Sequence, residues 1–329
     1  MISRTNKAFR LLLVTFFLII SFFTYSFFYN PEENIINNDL IEWGAGWKNN
    51  QSFYSGSELG FIVDNTKVLS IEIKSESKAD QELEIIIDNK NYYLSSSADS
   101  NIQRLTIYLD NKSSHKINIR HSCIYFYYPC ELTLTGIYIN KHANLLPFTL
   151  SKKIVSILGD SLSTIYGKQN YSRLFADSIG YQLHNASILG STVSKVKDVD
   201  SATNRYEKDL KPFKSDLTII FLGTNDVSNN VPLGVFESNY SQIVSDINRW
   251  NPDGKILLVG ILPRNDISSN VLVSYDEVIK RISIANNAYF VDTAGWLQKS
   301  DFDDDIHPSA TSQIKLAENF KEVISSKLR

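Results

Sequence analysis

The chain has 329 residues, of which 43% are hydrophobic, and carries a formal net charge of -3. This length exceeds that of a typical single domain, and the apolar content is sufficient for more than one packed core. The slightly negative charge provides no basic surface of the kind that binds nucleic acid, so nucleic-acid binding is excluded as the main function.

The N-terminus has the pattern of a membrane anchor. Arg4, Lys7 and Arg10 precede an uncharged stretch, residues 11–28, that is rich in Phe, Leu and Ile. As a helix this stretch would span about 27 Å, close to the thickness of a bilayer core. The positive flank is expected to stay in the cytoplasm, which places the following domains outside. We therefore predict an anchor at residues 1–29; a cleaved signal peptide is the alternative, although no small-residue cleavage site follows.

After the anchor come a spacer and a β-rich domain. Residues 30–40 are polar and rich in Asn, which is typical of a spacer. From residue 41 to 145, short runs alternate apolar and polar residues, as in Ile-Glu-Ile-Lys at 71–74, and Asp and Asn residues separate the runs. Many short strands without a helical period predict an antiparallel β-sandwich that resembles a jelly roll.

The two cysteines, Cys123 and Cys130, both lie in this domain. In an exported protein such a pair favours a local disulfide, which would stabilise the fold by at most about 2–3 kcal/mol because its loop is short. Free thiols and a metal site are the alternatives. His115 and His121 lie nearby, but the spacing lacks the paired pattern of zinc ligands.

Residues 150–329 change to alternating strands and helices. Strands are predicted at 154–158, 182–187, 217–222, 256–262 and 289–291, and helices at 171–180, 202–210, 233–250, 275–285 and 309–328. Five strands that alternate with helices predict a parallel sheet covered on both faces and joined by right-handed crossovers. The connection between the two domains is expected within residues 141–153.

The first predicted strand of this domain leads into Gly159-Asp160-Ser161. Gly159 permits a sharp turn, which places Ser161 at the carboxyl end of a buried strand, where open α/β sheets bind ligands. A serine hydroxyl is a weak nucleophile near neutral pH. Catalysis therefore requires a base that takes its proton and donors that stabilise an oxyanion.

Three later segments supply candidates for these roles: Gly190 after the second strand, Asn225 in Gly-Thr-Asn-Asp after the third, and His307 near the C-terminus. With Ser161 they form four blocks in an order that resembles the SGNH subgroup of the GDSL-type hydrolases. The resemblance covers residues 152–329 and implies a three-layer, flavodoxin-like α/β fold and a serine esterase.

The resemblance also implies a role for each block. Ser161 is the expected nucleophile, His307 its base, and Asp304 the acid that orients the histidine. A backbone carbonyl is the alternative partner for His307. The expected oxyanion donors are the backbone amides of Ser161 and Gly190 and the side-chain amide of Asn225. The neighbouring acidic residues, Asp160 and Asp226, are expected only to stabilise turns.

A second, looser resemblance concerns the β-rich domain. Its aromatic and glycine-bearing opening, with Trp43, Trp47 and Tyr54, and its position before the hydrolase domain are similar to carbohydrate esterase family two. These aromatic side chains either offer a platform for a sugar ring or belong to the core of the sandwich. The remaining histidines, His142 and His184 among them, have no catalytic context.

Together these features predict an extracytoplasmic serine esterase that removes a small acyl group, above all acetyl, from a cell-surface or extracellular carbohydrate. An O-acetyltransferase with the same catalytic set and an inactive carbohydrate-binding scaffold are the alternatives; a lipase is a weaker one. The expected partners are an acetylated polysaccharide and, through the N-terminal helix, the membrane. No cofactor or metal is expected: the glycine-rich dinucleotide and phosphate-loop motifs of a nucleotide site are missing, and so is a zinc-ligand pattern.

Overall fold

The computed structural model describes residues 32–75, 81–96, 101–123, 131–197 and 200–327, which form a β-sandwich followed by an α/β domain. The predicted anchor at residues 1–29 lies outside these ranges. Within them, no helix has both the length and the apolar character that crossing a membrane requires.

The sandwich consists of two antiparallel sheets built from twelve strands. These are β1 (Glu32–Asn34), β2 (Glu42–Trp43), β3 (Trp47–Lys48), β4 (Gln51–Ser52), β5 (Glu58–Asp64), β6 (Val68–Ser75), β7 (Gln81–Ile87), β8 (Lys90–Ser96), β9 (Gln103–Tyr108), β10 (Ser114–Cys123), β11 (Leu132–Asn140) and β12 (Asn144–Leu146). The first sheet has the order β3-β4-β11-β6-β9, with β1 paired to β11. The second has the order β12-β5-β10-β7-β8, with β2 paired to β5.

The core of the sandwich follows from the alternation seen in the sequence. Ile71 and Ile73 of β6 and Ile117 and Ile119 of β10 are fully buried, while the residues between them face outward. Because side chains alternate along a strand, the apolar halves of both sheets meet in one core and leave the polar halves outside.

The predicted spacer at residues 30–40 is wrong in part. Residues 32–34 form β1, which pairs with β11, and Ile35 and Ile36 are buried in the sandwich core. The polar Glu and Asn residues of this segment are typical of a spacer, so the sequence did not predict a strand here. At the other boundary, β12 extends the sandwich to Leu146, so the connection between the domains is shorter than expected.

The α/β domain has a five-stranded parallel sheet with helices on both faces. Its strands are β13 (Ile154–Gly159), β14 (Gln182–Asn185), β15 (Leu217–Phe221), β16 (Lys255–Val259) and β17 (Tyr289–Val291); its α-helices are α1 (Tyr171–Ile179), α2 (Ala202–Leu210), α3 (Thr224–Ser228), α4 (Leu233–Trp250), α5 (Ser269–Ala285) and α6 (Ser312–Lys327). The strand order is β14-β13-β15-β16-β17. This flavodoxin-like order reverses between β13 and β15, and the crevice at such a reversal is where ligands bind.

The sandwich packs against β14, the strand at one edge of the parallel sheet. Asn185 of β14 forms an isolated bridge with Ser55, and Gln182 accepts a hydrogen bond from the backbone amide of Ala45 at 2.7 Å. Gly56 lies directly on Leu183, and a Cβ atom at this glycine would approach Leu183 Cγ to 2.6 Å. The two domains are therefore in close contact at this junction.

We expect Gly56→Ala to destabilise the protein more than Gly180→Ala does. Both glycines have a positive φ, which costs an Ala about 1–2 kcal/mol. At Gly180 the added methyl group would meet no atom within 4 Å. At Gly56 it would overlap Leu183, and such overpacking costs about 1–3 kcal/mol more. Urea denaturation measures both losses. Equal losses would contradict a tight junction between the domains.

Candidate active site

Ser161 lies at the carboxyl end of β13, next to the point where the strand order reverses. The strand ends at Gly159, and Ser161 begins a short 3-10 helix that ends at Ser163. Asp160 caps this helix, because its carboxylate accepts a hydrogen bond from the amide of Leu162 at 3.0 Å. Ser161 is 5% exposed. The turn therefore fixes the serine backbone and leaves a small part of the side chain accessible.

His307 and Asp304 complete a hydrogen-bonded row with this serine. Ser161 Oγ is 2.9 Å from His307 Nε2, and His307 Nδ1 is 2.7 Å from Asp304 Oδ2. The second oxygen of Asp304 accepts hydrogen bonds from the amides of Ile306 and His307 at 2.7 and 2.6 Å. Asp304, rather than a backbone carbonyl, is thus the hydrogen-bond partner of the imidazole.

The electrostatics of Asp304 fit its position. Partial burial would raise its pKa, but the hydrogen bonds from the His307 ring and from two backbone amides outweigh burial and lower it. The carboxylate is therefore ionised at neutral pH. An ionised acceptor at Nδ1 keeps the proton on that nitrogen and leaves Nε2 free to accept the serine proton.

Two backbone amides near Ser161 are available as donors. Within the described residues, the amides of Ser161 and Gly190 donate no hydrogen bond to the protein. Gly190 has φ +73°, and no atom lies within 4 Å of the position that a Cβ would occupy. The backbone at Gly190 is consequently open to a bound molecule, as an oxyanion-stabilising site requires.

Asn225 lies on the short helix α3, which begins three residues after the end of β15. Its Nδ2 donates to Asp160 Oδ2 and to the carbonyl of Ser191, both at 3.1 Å. The side-chain amide therefore bridges the residue before Ser161 and the residue after Gly190. The structure brings all three expected oxyanion residues together, with both hydrogens of the Asn225 amide directed at protein acceptors.

Asp160 and Asp226 have larger structural roles than the sequence indicated. Asp226 accepts the amides of Val193 and Ser194, so it fixes the loop after Gly190 in addition to its own turn. Burial raises the pKa of Asp160 to about 7 and that of Asp226 to about 6. These contacts join residues more than thirty positions apart, and no local motif predicts them.

Two buried arginines that sequence analysis missed support the same loops. Arg205 of α2 donates to the carbonyl of Ala186, to Ser191 Oγ at 3.1 Å and to Asp209 at 2.9 Å. Arg264 donates to the carbonyl of Thr224 at 2.8 Å and to a hydroxyl on the same helix. A buried arginine needs several acceptors, which these loops provide. No motif marks either residue in the sequence.

A cavity of about 490 Å³ opens beside His307, and both domains line it. The α/β domain contributes Tyr166, Asp303 and Asp304, and the sandwich contributes Glu82 and Ser122. Tyr166 has φ +66°, which is uncommon for a bulky residue, and its hydroxyl donates to Asp303. The sandwich therefore forms one wall of the site.

The aromatic candidates of the sandwich lie elsewhere. Trp43 and Trp47 pack edge to face, with ring centroids 5.4 Å apart, against the sandwich core. Tyr54 packs on His184, and its hydroxyl donates to Asp209 at 3.2 Å. None of the three lines the cavity beside His307. In this structure they are packing residues of the core and the domain junction.

Among the described residues, Cys123 and the histidines other than His307 form no hydrogen bond with Ser161, His307 or Asp304. Burial lowers the pKa of His121 and His184 to about 3, so both rings are neutral. Cys123 is disulfide-bonded, and its predicted partner, Cys130, lies outside the described residues. Within the ranges that the structure covers, no three His, Cys, Asp or Glu side chains form a group that could hold a metal ion.

The site combines a serine, a histidine and an acid in one hydrogen-bonded row with open backbone amides at the carboxyl edge of a parallel sheet. This is the arrangement of a serine hydrolase. Residues 157–313 match the family model described as "GDSL-like Lipase/Acylhydrolase family". The α/β domain is thus similar to the GDSL-like lipases and acylhydrolases, and its site is that of a serine esterase, as the four sequence blocks predicted.

Solved structures share the fold of both domains. A family two carbohydrate esterase from Clostridium thermocellum, in complex with cellohexaose, aligns with a TM-score of 0.73 at 18% identity and covers 88% of this chain and 99% of its own. An acetyl xylan esterase from the rumen bacterium Butyrivibrio proteoclasticus aligns at 0.72 and 15% identity, with coverages of 91% and 99%.

A salicylyl-acyltransferase from a tetracycline biosynthetic pathway also aligns, with a TM-score of 0.70 at 12% identity and coverages of 90% and 98%. No curated protein sequence matches the chain. At these identities the alignments establish a shared two-domain fold.

We expect Asp304→Asn to lower kcat for an ester substrate by up to about 10⁴-fold. The asparagine can keep its Oδ1 as an acceptor for the amides of Ile306 and His307, but its NH₂ group cannot accept the Nδ1 proton. Steady-state kinetics with a small aryl acetate measure the loss. Asp305→Asn, in the same loop, is the matched control and should retain activity. Comparable losses in the two variants would contradict the role of Asp304.

The pKa of Asp160 predicts a pH-dependent difference in stability between wild type and Asp160→Asn. Burial raises this pKa from 3.8 to about 7, so between these values the folded protein binds a proton that the unfolded chain has released. The wild-type free energy of unfolding, relative to that of the variant, should therefore fall as the pH rises through this window and level off above it. Urea denaturation across this range tests the prediction; a pH-independent difference would contradict it.

Proposed function

We propose that the protein is an extracytoplasmic serine esterase that removes acetyl groups from a carbohydrate through an acyl-enzyme on Ser161. The observation that carries the proposal is the row formed by Ser161, His307 and Asp304, in which each hydrogen bond is shorter than 3 Å. All three residues lie in the α/β domain.

The proposed reaction begins when Ser161 Oγ attacks the acetyl carbonyl and His307 Nε2 takes the hydroxyl proton. The amides of Ser161 and Gly190 then stabilise the oxyanion, and Asn225 lies next to both loops that carry them. The carbon–oxygen bond to the sugar breaks as His307 returns the proton to the leaving oxygen. Water, activated by the same histidine, attacks the acyl-enzyme and releases acetate and the free serine.

The substrate assignment rests on the cavity and on the structural relatives. Polar groups from both domains line the space beside His307, among them Glu82, Ser122 and Asp303. Such groups can form hydrogen bonds with sugar hydroxyls, and Ile165 and Tyr166 add apolar surface against which a sugar face can pack. The relatives with the same two domains include esterases of family two in complex with cello-oligosaccharide and an acetyl xylan esterase.

The proposed location rests on two features. The sequence of residues 1–29 has the basic flank and apolar stretch of a membrane anchor with a cytoplasmic N-terminus. In addition, Cys123 is disulfide-bonded, and structural disulfides are typical of oxidising compartments outside the cytoplasm. We place the substrate at the cell surface for the same reasons.

Hydrolysis of a small aryl acetate by the protein tests the proposal directly. We expect Ser161→Ala to abolish the activity, because no other described hydroxyl is hydrogen-bonded to His307. Ser163→Ala, two residues away in the same 3-10 helix, is the control: its hydroxyl bonds to Tyr171 and not to His307. Full activity in the Ser161→Ala variant, or none in the folded wild type, would overturn the esterase assignment.

Acyl transfer is the second candidate. The acyltransferase of the tetracycline pathway shares the fold of both domains, and an acyl-enzyme can react with a sugar hydroxyl as well as with water. Incubating the protein with an acetyl donor and an oligosaccharide separates the two functions. Free acetate as the main product supports the esterase, and acetylated oligosaccharide supports the transferase.

A further inference from the structure

A second, polar cleft lies between the two domains on the side away from Ser161. Its volume is about 520 Å³, and Lys116 and Asn118 of β10, Asn91 of β8 and Phe148 of the domain connection line it together with Tyr181. Tyr181 directly precedes β14, so the cleft is at the amino edge of the parallel sheet, while Ser161 is at the carboxyl edge. The proposed esterase reaction does not use this cleft.

One face of the second sandwich sheet borders both cavities. On β10, Lys116, Asn118 and Arg120 line the cleft, and Ser122, the next residue on the same face, lines the cavity beside His307. On β7, Ile86 lines the cleft and Glu82 lines the cavity. Because alternate side chains share a face, these residues form two continuous rows. The distance along β7 from one opening to the other is about 13 Å at 3.3 Å per residue.

Tyr93 lies between the two cavities and contacts a wall residue of each. Lys168 lines the cavity beside His307, and its Nζ is 3.3 Å from the centroid of the Tyr93 ring. Asn91 lines the cleft, and its Nδ2 donates to the Tyr93 hydroxyl at 3.3 Å. Tyr93 is 40% exposed. Lys168 therefore covers one face of the ring, and the part of Tyr93 that stays exposed is available to a molecule that extends from one cavity to the other.

The chemistry of the cleft fits a neutral molecule with many hydroxyl groups. Its walls carry three carboxylates and two cations, namely Glu58, Asp88, Asp177, Lys116 and Arg120. This near balance of charge favours neither a polyanion nor a polycation. The amides of the asparagines both donate and accept hydrogen bonds, and the rings of Phe148 and Tyr181 provide apolar surface against which the face of a sugar can pack.

We propose that the cleft, Tyr93 and the cavity beside His307 form one extended binding track for a neutral oligosaccharide, whose acetylated unit lies at Ser161 and whose further units reach the cleft. This inference rests on the proposed function. It adds that the substrate is a chain of several sugar units and that the outer face of the sandwich binds the part of the chain remote from the reaction.

The test compares acetylated cello- and xylo-oligosaccharides of increasing length with a small aryl acetate. For wild type we expect KM to fall about tenfold from short to long chains, the gain of one ring contact with its hydrogen bonds. In Tyr93→Ala the KM for long chains should rise to the short-chain value, while kcat and aryl acetate hydrolysis stay unchanged. Tyr93→Phe, which keeps the ring, should retain most of the length dependence.

Asn111→Ala provides a matched control. Asn111 lines a pocket of similar volume, about 470 Å³, formed by loops of the sandwich around Asp64 and Asp110. This variant should leave the length dependence intact. The track is refuted if KM is independent of chain length in both series, or if Tyr93→Ala and Asn111→Ala behave alike. If the wild-type protein does not hydrolyse the aryl acetate at all, the proposed esterase function is refuted instead.

Binding to Ser161→Ala gives a second readout that does not depend on turnover. Isothermal titration with the same oligosaccharides should show tighter binding of the longer chains, and the added substitution Tyr93→Ala should remove that gain. Equal affinities for short and long chains would overturn the track whatever the activity of the wild type.

Discussion

The hydrogen bond between Ser161 and His307 joins two residues that are 146 positions apart in the chain. Ser161 leaves a buried central strand, whereas His307 lies in a partly exposed loop before the last helix. A distance of 2.9 Å between them requires both ends to be fixed. On the serine side the 3-10 helix supplies this order. On the histidine side it comes from Asp304, from the amide of Asp303 bonded to the His307 carbonyl at 2.9 Å, and from Tyr166, which holds Asp303.

Two buried carboxyl groups lie near this pair, and their raised pKa values show that burial disfavours their ionised form. Asp160 and Asp226 are both buried, and burial raises the pKa of Asp160 to about 7 and that of Asp226 to about 6. Burying apolar side chains at these positions would cost less free energy, because a buried carboxyl group loses its hydration. The two carboxyl groups fix the positions of the loops that carry the backbone amides of Ser161 and Gly190. Asn225 lies between these loops, because its side-chain amide donates to Asp160 and to the carbonyl of Ser191.

Most of the fold could be predicted from the sequence because the signals of its main strands and helices are local. The buried runs that form β13, β15 and β16 and the amphipathic spacing of α4 depend only on residues that are near in the chain. The four blocks placed Ser161, Gly190, Asn225 and His307 at the same edge, because the carboxyl ends of parallel strands meet there.

The missed features depend on contacts that no local pattern encodes. The edge strand β1 looked like a polar spacer, since its own residues are polar and only its pairing with β11 makes it a strand. Arg205 is an ordinary helical arginine in the sequence and becomes part of the site because it reaches Ala186 and Ser191 across two loops. In the same way, a tyrosine with a positive φ, such as Tyr166, requires surroundings that the sequence does not reveal.

The two domains contribute differently to the site: the α/β domain supplies the reacting residues, and the sandwich supplies part of the cavity wall. Every residue of the proposed reaction lies in the α/β domain, whereas the cavity beside His307 needs Glu82 and Ser122 of the sandwich for its second wall. Ion pairs join the two domains nearby: Lys168 pairs with Glu82 at 3.3 Å in the lining of this cavity, and Arg120 pairs with Asp177 at 3.3 Å in the lining of the second cleft. A change at these ion pairs would therefore act on substrate binding and leave the serine, histidine and aspartate row unaltered, because no atom of the row contacts the sandwich through a hydrogen bond within the described residues.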